Sequence, residues 1–243
     1  MDKLYVVGIG PGNAENLTIR ADEALRSCDI IVGYQVYVEL VRGRYPDKEF
    51  LTTGMTREVE RCQLALRLAA DGKKTAIICS GDSGVYGMAA LIYELRGSSP
   101  LPEIEVIPGL TAACSGAALL GAPLTHDFAV ISLSDRLTAW ETIEQRLDAA
   151  AKADMAVVLY NPASRGRPDY LRRACDILLR TLPANRLCGI ARNIGREGED
   201  CRILSLGELR DVSVDMFCTI FIGNAMTKEI GGRLVTPRGY RNV

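Results

Sequence analysis

The chain has 243 residues, is 48% hydrophobic and carries 29 basic against 30 acidic side chains, for a net charge of −1. That is enough for one large domain or two small ones around an ample core. The balanced charge argues against wholesale nucleic-acid or membrane-surface binding, and no apolar run approaches the ~20 residues of a membrane helix.

The opening segment Lys3-Leu4-Tyr5-Val6-Val7 reads as a strand and not as a basic-then-apolar leader. It runs into the turn Gly8-Ile9-Gly10-Pro11-Gly12-Asn13. Residues Leu17 to Ser27 follow with helical spacing, placing Leu17, Ala21, Ala24 and Leu25 on one face. Ile30-Ile31-Val32 is a short buried strand ending at Gly33. Arg57 to Ala70 is an amphipathic helix, and Thr75 to Cys79 a central strand. The polar, glycine-rich turn Ser80 to Met88 comes next, then a helix over Ala89 to Leu95. Ile104 to Ile107 is another strand, leading through Pro108-Gly109-Leu110-Thr111 into an alanine-rich helix that ends at Leu120.

Strands alternating with helices imply a mostly parallel sheet. The texture shifts over Gly121 to Asp127, which predicts an α/β domain over residues 1–121 and a second over 122–243. The second half offers strands at Phe128 to Ser132 and Met155 to Tyr160, and helices at Trp140 to Ala150 and Tyr170 to Leu179. A polar loop spans Asn161 to Pro168. Leu187 to Ala191, Cys201 to Leu204 and Met216 to Ile222 close the set as strands, and the last stretch reads as an irregular tail. No repeat or low-complexity segment is present. The eight cysteines, at 28, 62, 79, 114, 175, 188, 201 and 218, form no CxxC pair. They read as reduced thiols of a cytoplasmic protein, with no metal site expected.

Three glycine turns, each after an apolar strand, predict a ligand at the carboxyl edge of the first sheet. A dinucleotide fits poorly. The third fingerprint glycine would fall on Asn13, Pro11 removes a backbone donor, and no acidic residue closes the second strand at Gly33-Tyr34. A GxxxxGK[ST] phosphate cradle is also missing. A nucleoside without phosphates and with a cationic sulfonium, S-adenosylmethionine, suits such turns better. For any single turn the plainer alternative is a tight strand-to-helix connection.

Gly8-Ile9-Gly10-Pro11-Gly12, Ser80-Gly81-Asp82 and Ile107-Pro108-Gly109-Leu110-Thr111-Ala112-Ala113 occur in that order. Together they resemble the tetrapyrrole methyltransferases of cobalamin and sirohaem synthesis, over almost the whole chain. Within that family, Gly81 to Ala89, Leu124 to Asp135, and Tyr160-Asn161-Pro162-Ala163-Ser164 with Arg167 look like the precorrin-3B C17-methyltransferase branch. One departure is Ala139 before Trp140, where the family pattern carries proline; it loosens a helix start.

The resemblance implies a homodimer of two-domain α/β subunits with mostly parallel or mixed sheets, S-adenosylmethionine in the cleft between the domains and S-adenosylhomocysteine as product. It implies methylation at carbon 17 of a precorrin-3-type tetrapyrrole, coupled to ring contraction, with neither nucleic acid nor membrane as partner. By similarity Pro11 and Gly12 lie near the cofactor mouth. Ser80, Gly81, Asp82 and Val85 take its methionine and ribose, and Thr111 and Ala112 its methionine end. Tyr160, Asn161, Ala191 and Arg192 line its adenine side, and Thr219 and Ile220 on the final strand close it. The plainer alternative for Asp82 is a cap on the next helix.

Ring contraction moves protons. Histidine as a residue type changes charge near neutral pH, which makes His126, the only histidine, a candidate, with Asp127 and Asp135 as rivals. The substrate carries acetates and propionates, so Arg57, Arg136, Arg165 and Arg167 are candidate anchors, although Ser164 to Arg167 could be a plain solvated loop. Another corrin-pathway or sirohaem methyltransferase, a protein-directed diphthamide-type methyltransferase and a nucleotide-binding regulator are the alternatives. Whether the substrate already holds cobalt stays open.

Overall fold

A computed structural model describes residues 3–164 and 166–240. The chain divides into two compact units, Met1–Ala112 and Ala113–Val243.

The first unit is a parallel sheet covered on both faces. Its strands are β1 (Lys3–Gly8), β2 (Ile30–Tyr34), β3 (Glu49–Thr53), β4 (Thr75–Cys79) and β5 (Glu103–Ile107). They lie in the order β3-β2-β4-β1-β5, every neighbour parallel. Two-sided burial explains why β4 is apolar from Ala76 to Cys79. Val7, Ile31, Ala76 and Ile78 pack on one face with Ala21, Ala24 and Leu25 of α1 (Ile19–Ser27) and Val38 of α2 (Gln35–Arg42). Leu4, Val6, Val32 and Ile77 pack on the other, with Cys62, Ala65 and Ala69 of α3 (Glu58–Ala70) and Ile92 of α4 (Ala89–Arg96). Helix α1 starts two residues later than its apolar spacing predicts. Thr18 caps it, its hydroxyl accepting from the Ala21 amide at 3.1 Å.

The sheet's order reverses direction at β4 and β1, so the turns after these strands open a crevice at the carboxyl edge. There the backbones touch. Gly10 and Gly81 exchange two hydrogen bonds, at 3.1 and 2.7 Å. A Cβ on Gly109 would lie 2.2 Å from the Gly81 carbonyl and 2.6 Å from the Gly8 carbonyl carbon. Glycine is required here because no side chain fits between the turns.

Of the second unit, α5 (Ala112–Leu120) begins at the junction. β6 (Gly121–Ala122), β7 (Phe128–Ser132), α6 (Trp140–Lys152), β8 (Ala156–Tyr160), α7 (Tyr170–Leu178) and β9 (Leu187–Arg192) follow. Then come β10 (Asp200–Ser205), α8 (Leu206–Leu209), β11 (Cys218–Ile222), β12 (Lys228–Ile230) and β13 (Arg233–Val235). Its main sheet has the order β10-β9-β11-β8-β7. Only β7 and β8 pair in parallel; β11 runs antiparallel to both β8 and β9, and β10 to β9. The mostly parallel expectation thus holds for the first unit and gives way to a mixed sheet in the second. The short connection from β9 to β10 has no room for a crossover helix.

The core of the second unit joins Leu159, Ile190 and Ile220 to Ile143, Leu147, Leu171 and Leu178. Across the sheet, Gly116 of α5 faces Phe221, where a Cβ would come within 2.8 Å of the ring. The tail is not wholly irregular: β12 and β13 pair, and β13 runs parallel to β6. Leu234 is fully buried and the Thr236 hydroxyl donates to the Pro123 carbonyl at 2.7 Å. Its short, exposed strands carry no alternating pattern to predict them.

Candidate active site

Asp82 organises the first unit's carboxyl edge. Its Oδ1 accepts from the amides of Gly84 (2.7 Å) and Val85 (3.1 Å), and its Oδ2 from the Gly109 amide (2.9 Å). One carboxylate therefore ties the turn after β4 to the turn after β5. Helix α4 itself begins at Ala89 with Met88 as its cap residue, so Asp82 braces the turn and does not cap that helix. Ser83, fully buried, donates its hydroxyl to the Ile107 carbonyl at 3.1 Å and doubles the tie.

The structure brings most of the first-half cofactor candidates together here. Gly81 lies beside Thr111 and Ala112. Ser80 flanks Gly81, Pro11 and Gly12 follow the bonded Gly10, and Val85 shares the Asp82 carboxylate.

In the second unit, Tyr160, Asn161, Ala191, Arg192, Thr219 and Ile220 share one end of the mixed sheet. Thr219 is in register with Ala191, and Ile220 with Leu159. The Tyr160 hydroxyl accepts from the Ala113 amide at 2.8 Å. Asn161, at φ 55°, donates through Nδ2 to the Ser132 hydroxyl at 2.9 Å. Arg192 binds Asp215 through two nitrogens, at 2.7 and 3.2 Å. Burial raises the Asp215 carboxyl, but the Phe217 amide and Arg192 outweigh it and hold the group below its usual range.

Arg167 belongs to the same end. Its Nη1 lies 3.0 Å from Asp135 Oδ1 and 3.1 Å from the Ser134 hydroxyl, and the Tyr170 hydroxyl donates to Asp135 Oδ2. That bond keeps the Tyr170 phenol protonated above its ordinary pKa. Both oxygens of Asp135 are thus engaged. The alternation Ser132-x-Ser134-Asp135 past the end of β7 is the signal that could have pointed to the two serines; nothing local pointed to Tyr170.

The other candidates lie apart. His126 and Asp127 precede β7, whereas Asp135 follows it, roughly 17 Å further along by strand rise. His126 is exposed, and its Nε2–H donates to the Pro237 carbonyl at 2.9 Å. Arg57, largely exposed, pairs with Glu60 at 3.3 Å at the start of α3. Arg136 is exposed on the loop after β7. Arg165 lies outside the described residues.

The donor set bears on the ligand. The amides of Gly84, Val85 and Gly109 are all committed to Asp82, so the turns do not present the array of free N–H groups that a pyrophosphate needs. A negative charge at their centre favours a cation over an anion.

Residues 3–210 match the family model for tetrapyrrole (corrin/porphyrin) methylases. The chain belongs to this family. It is 46% identical, over 98% of its own length and 99% of the relative's, to a probable cobalt-factor III C(17)-methyltransferase of Salmonella typhimurium. It is 39% identical to a precorrin-3B C(17)-methyltransferase of Sinorhizobium, over 98% and 96% of the two chains. The solved structure of the methyltransferase CobJ superimposes with a TM-score of 0.89 at 35% identity, covering 96% of this chain and 99% of that one. Among the described residues no helix is long and apolar enough to cross a membrane, and no acidic, histidine and cysteine cluster could hold a metal.

Proposed function

We propose that this chain transfers a methyl group from S-adenosylmethionine to carbon 17 of a precorrin-3-type tetrapyrrole, with ring contraction, in cobalamin synthesis. Relatives bearing that activity in their names support the reading over nearly the full length. The observation that carries the choice of cofactor is the Asp82 carboxylate, which occupies the amides a phosphate would need and leaves negative charge at the turns.

S-adenosylmethionine supplies an electrophilic methyl on a sulfonium sulfur. The chain needs no nucleophile of its own; its task is to hold the reacting atoms in line and exclude water. Pro11, Gly12, Ser80, Gly81, Asp82, Val85, Thr111 and Ala112 form the proposed holding set for the methionine and ribose. Tyr160, Asn161, Ala191, Arg192, Thr219 and Ile220 form the set for the adenine. Arg167, fixed by Asp135 and Ser134, presents a cation to substrate carboxylates, which makes Asp135 a positioning residue. His126 and Asp127 remain proton-transfer candidates; His126 donates its Nε2–H to Pro237, and both lie at the end of β7 away from Asp135.

The more similar of the two named relatives is the cobalt-factor III enzyme, which favours a cobalt-loaded substrate. Mass spectrometry decides both points. The chain is incubated with S-adenosylmethionine and either cobalt-loaded or metal-free precorrin-3-type substrate. One added methyl with a matching spectral change is expected, faster with cobalt; no gain on either substrate overturns the proposal. A homodimer in the cytoplasm completes the reading, with light scattering at twice the 26.4 kDa subunit mass as its check.

A further inference from the structure

Arg61 of α3 is 5% exposed. Its Nε donates to the Thr53 hydroxyl at 2.8 Å and its Nη2 to the Gly54 carbonyl at 2.9 Å, while the guanidinium stands 5.8 Å from the Tyr34 ring centre. All three partners are uncharged. Among the described residues no carboxylate lies within ion-pair distance of Arg61; its Nη1 makes no hydrogen bond within the protein and keeps some contact with solvent. A guanidinium so largely withdrawn from water without a counter-charge is a costly arrangement. A protein that needed only a brace between β3 and α3 would obtain it more cheaply from a neutral side chain.

The position explains the charge. Helical side chains lean toward the helix N-terminus, so Arg61 reaches back over the start of α3 to the carboxyl ends of β2 and β3. The glycine turns follow β4, β1 and β5. In the order β3-β2-β4-β1-β5 the guanidinium therefore shares their edge of the sheet, on its opposite half.

We propose that Arg61 is a substrate-anchoring residue, whose buried, uncompensated guanidinium receives a carboxylate of the tetrapyrrole's acetate or propionate side chains. The inference rests on the methyltransferase reading. A second carboxylate source exists, the methionine end of the cofactor, and the calorimetric arm of the test separates the two.

The test measures KM and kcat for the precorrin-3-type substrate, and the calorimetric Kd for S-adenosylhomocysteine, in the full chain and in R61M and R61K. For R61M the expected result is a KM raised by about tenfold or more, with kcat and the S-adenosylhomocysteine Kd unchanged. R61K keeps the charge without the fork and falls between; it decides the matter should R61M fail to fold. A purely structural role would lower the melting temperature and leave KM alone, which overturns the inference. Loss of S-adenosylhomocysteine affinity in step with KM assigns the anion to the cofactor and also overturns it. If the wild-type chain binds tetrapyrrole and R61M binds it equally well, this inference alone falls. If the wild-type chain binds none, the functional reading falls and takes this one with it.

Discussion

Both carboxylate oxygens of Asp82 hold backbone amides of the turns after β4 and β5. Asp82→Ala leaves those donors unsatisfied, at about 1–3 kcal/mol for each that water cannot reach, and frees the turns after β4 and β5 from each other. S-adenosylhomocysteine should bind this variant at least about tenfold more weakly, and His126→Ala should bind it nearly normally. Calorimetry giving the opposite ranking would move the ligand away from Asp82. Gly109→Ala is harsher, because the new methyl would meet two backbones at 2.2 and 2.6 Å. A stability loss of about 1–3 kcal/mol or more is expected from such overpacking, read from the denaturant midpoint. Glycines of this kind are conspicuous in a sequence, since a cluster of them after an apolar strand has few other uses. The counterparts in space were not visible. Asp135 meets Tyr170 across 35 positions, and Arg61 sits in an amphipathic helix where a cation reads as solvent-facing.

Elements with two-sided burial declared themselves, as β1, β4, β8 and β11 did by mostly apolar runs. Strand β3 did not. It lies at the edge of its sheet, and its sequence Glu-Phe-Leu-Thr-Thr has only partial burial to encode. The same reason hid β12 and β13, three residues each. Their place in the fold makes a sharp test, because Leu234 is fully enclosed and lies against Gly189 in the main sheet. Leu234→Ala should destabilise the second unit by about 2–5 kcal/mol, whereas a true tail would show no change in urea unfolding. Mixed pairing in that sheet was equally hidden, since burial pattern alone does not record strand direction.

At the scale of the molecule, folding is set against both extremes of pH. Burial raises Asp22, but hydrogen bonds from Arg44, Tyr45 and Arg26 outweigh it and hold the carboxyl well below its ordinary 3.8. A carboxyl depressed by folding stabilises above its ordinary value, and that contribution drains as pH falls below 3.8 toward the folded value. Burial acts oppositely on the thiols. It pushes Cys28, Cys62 and Cys175 up to about 12, and Cys79 and Cys218 up to about 11, from 9.0. Unfolded thiols ionise first, so stability should decline as pH rises from 9.0 toward 11, more steeply than one group could cause. Cys28→Ala should flatten the alkaline limb of the melting temperature against pH.

The eight free cysteines fall into a useful pattern. Cys28, Cys62 and Cys79 are sealed in the first unit and Cys175, Cys188 and Cys218 in the second, while Cys114 is exposed and Cys201 only partly covered. An alkylating reagent applied to the native chain should mark Cys114 at once and Cys201 next. After that, each sealed set becomes a clock for the opening of its own half, so a peptide map taken over time would tell which half loosens first without any engineered reporter.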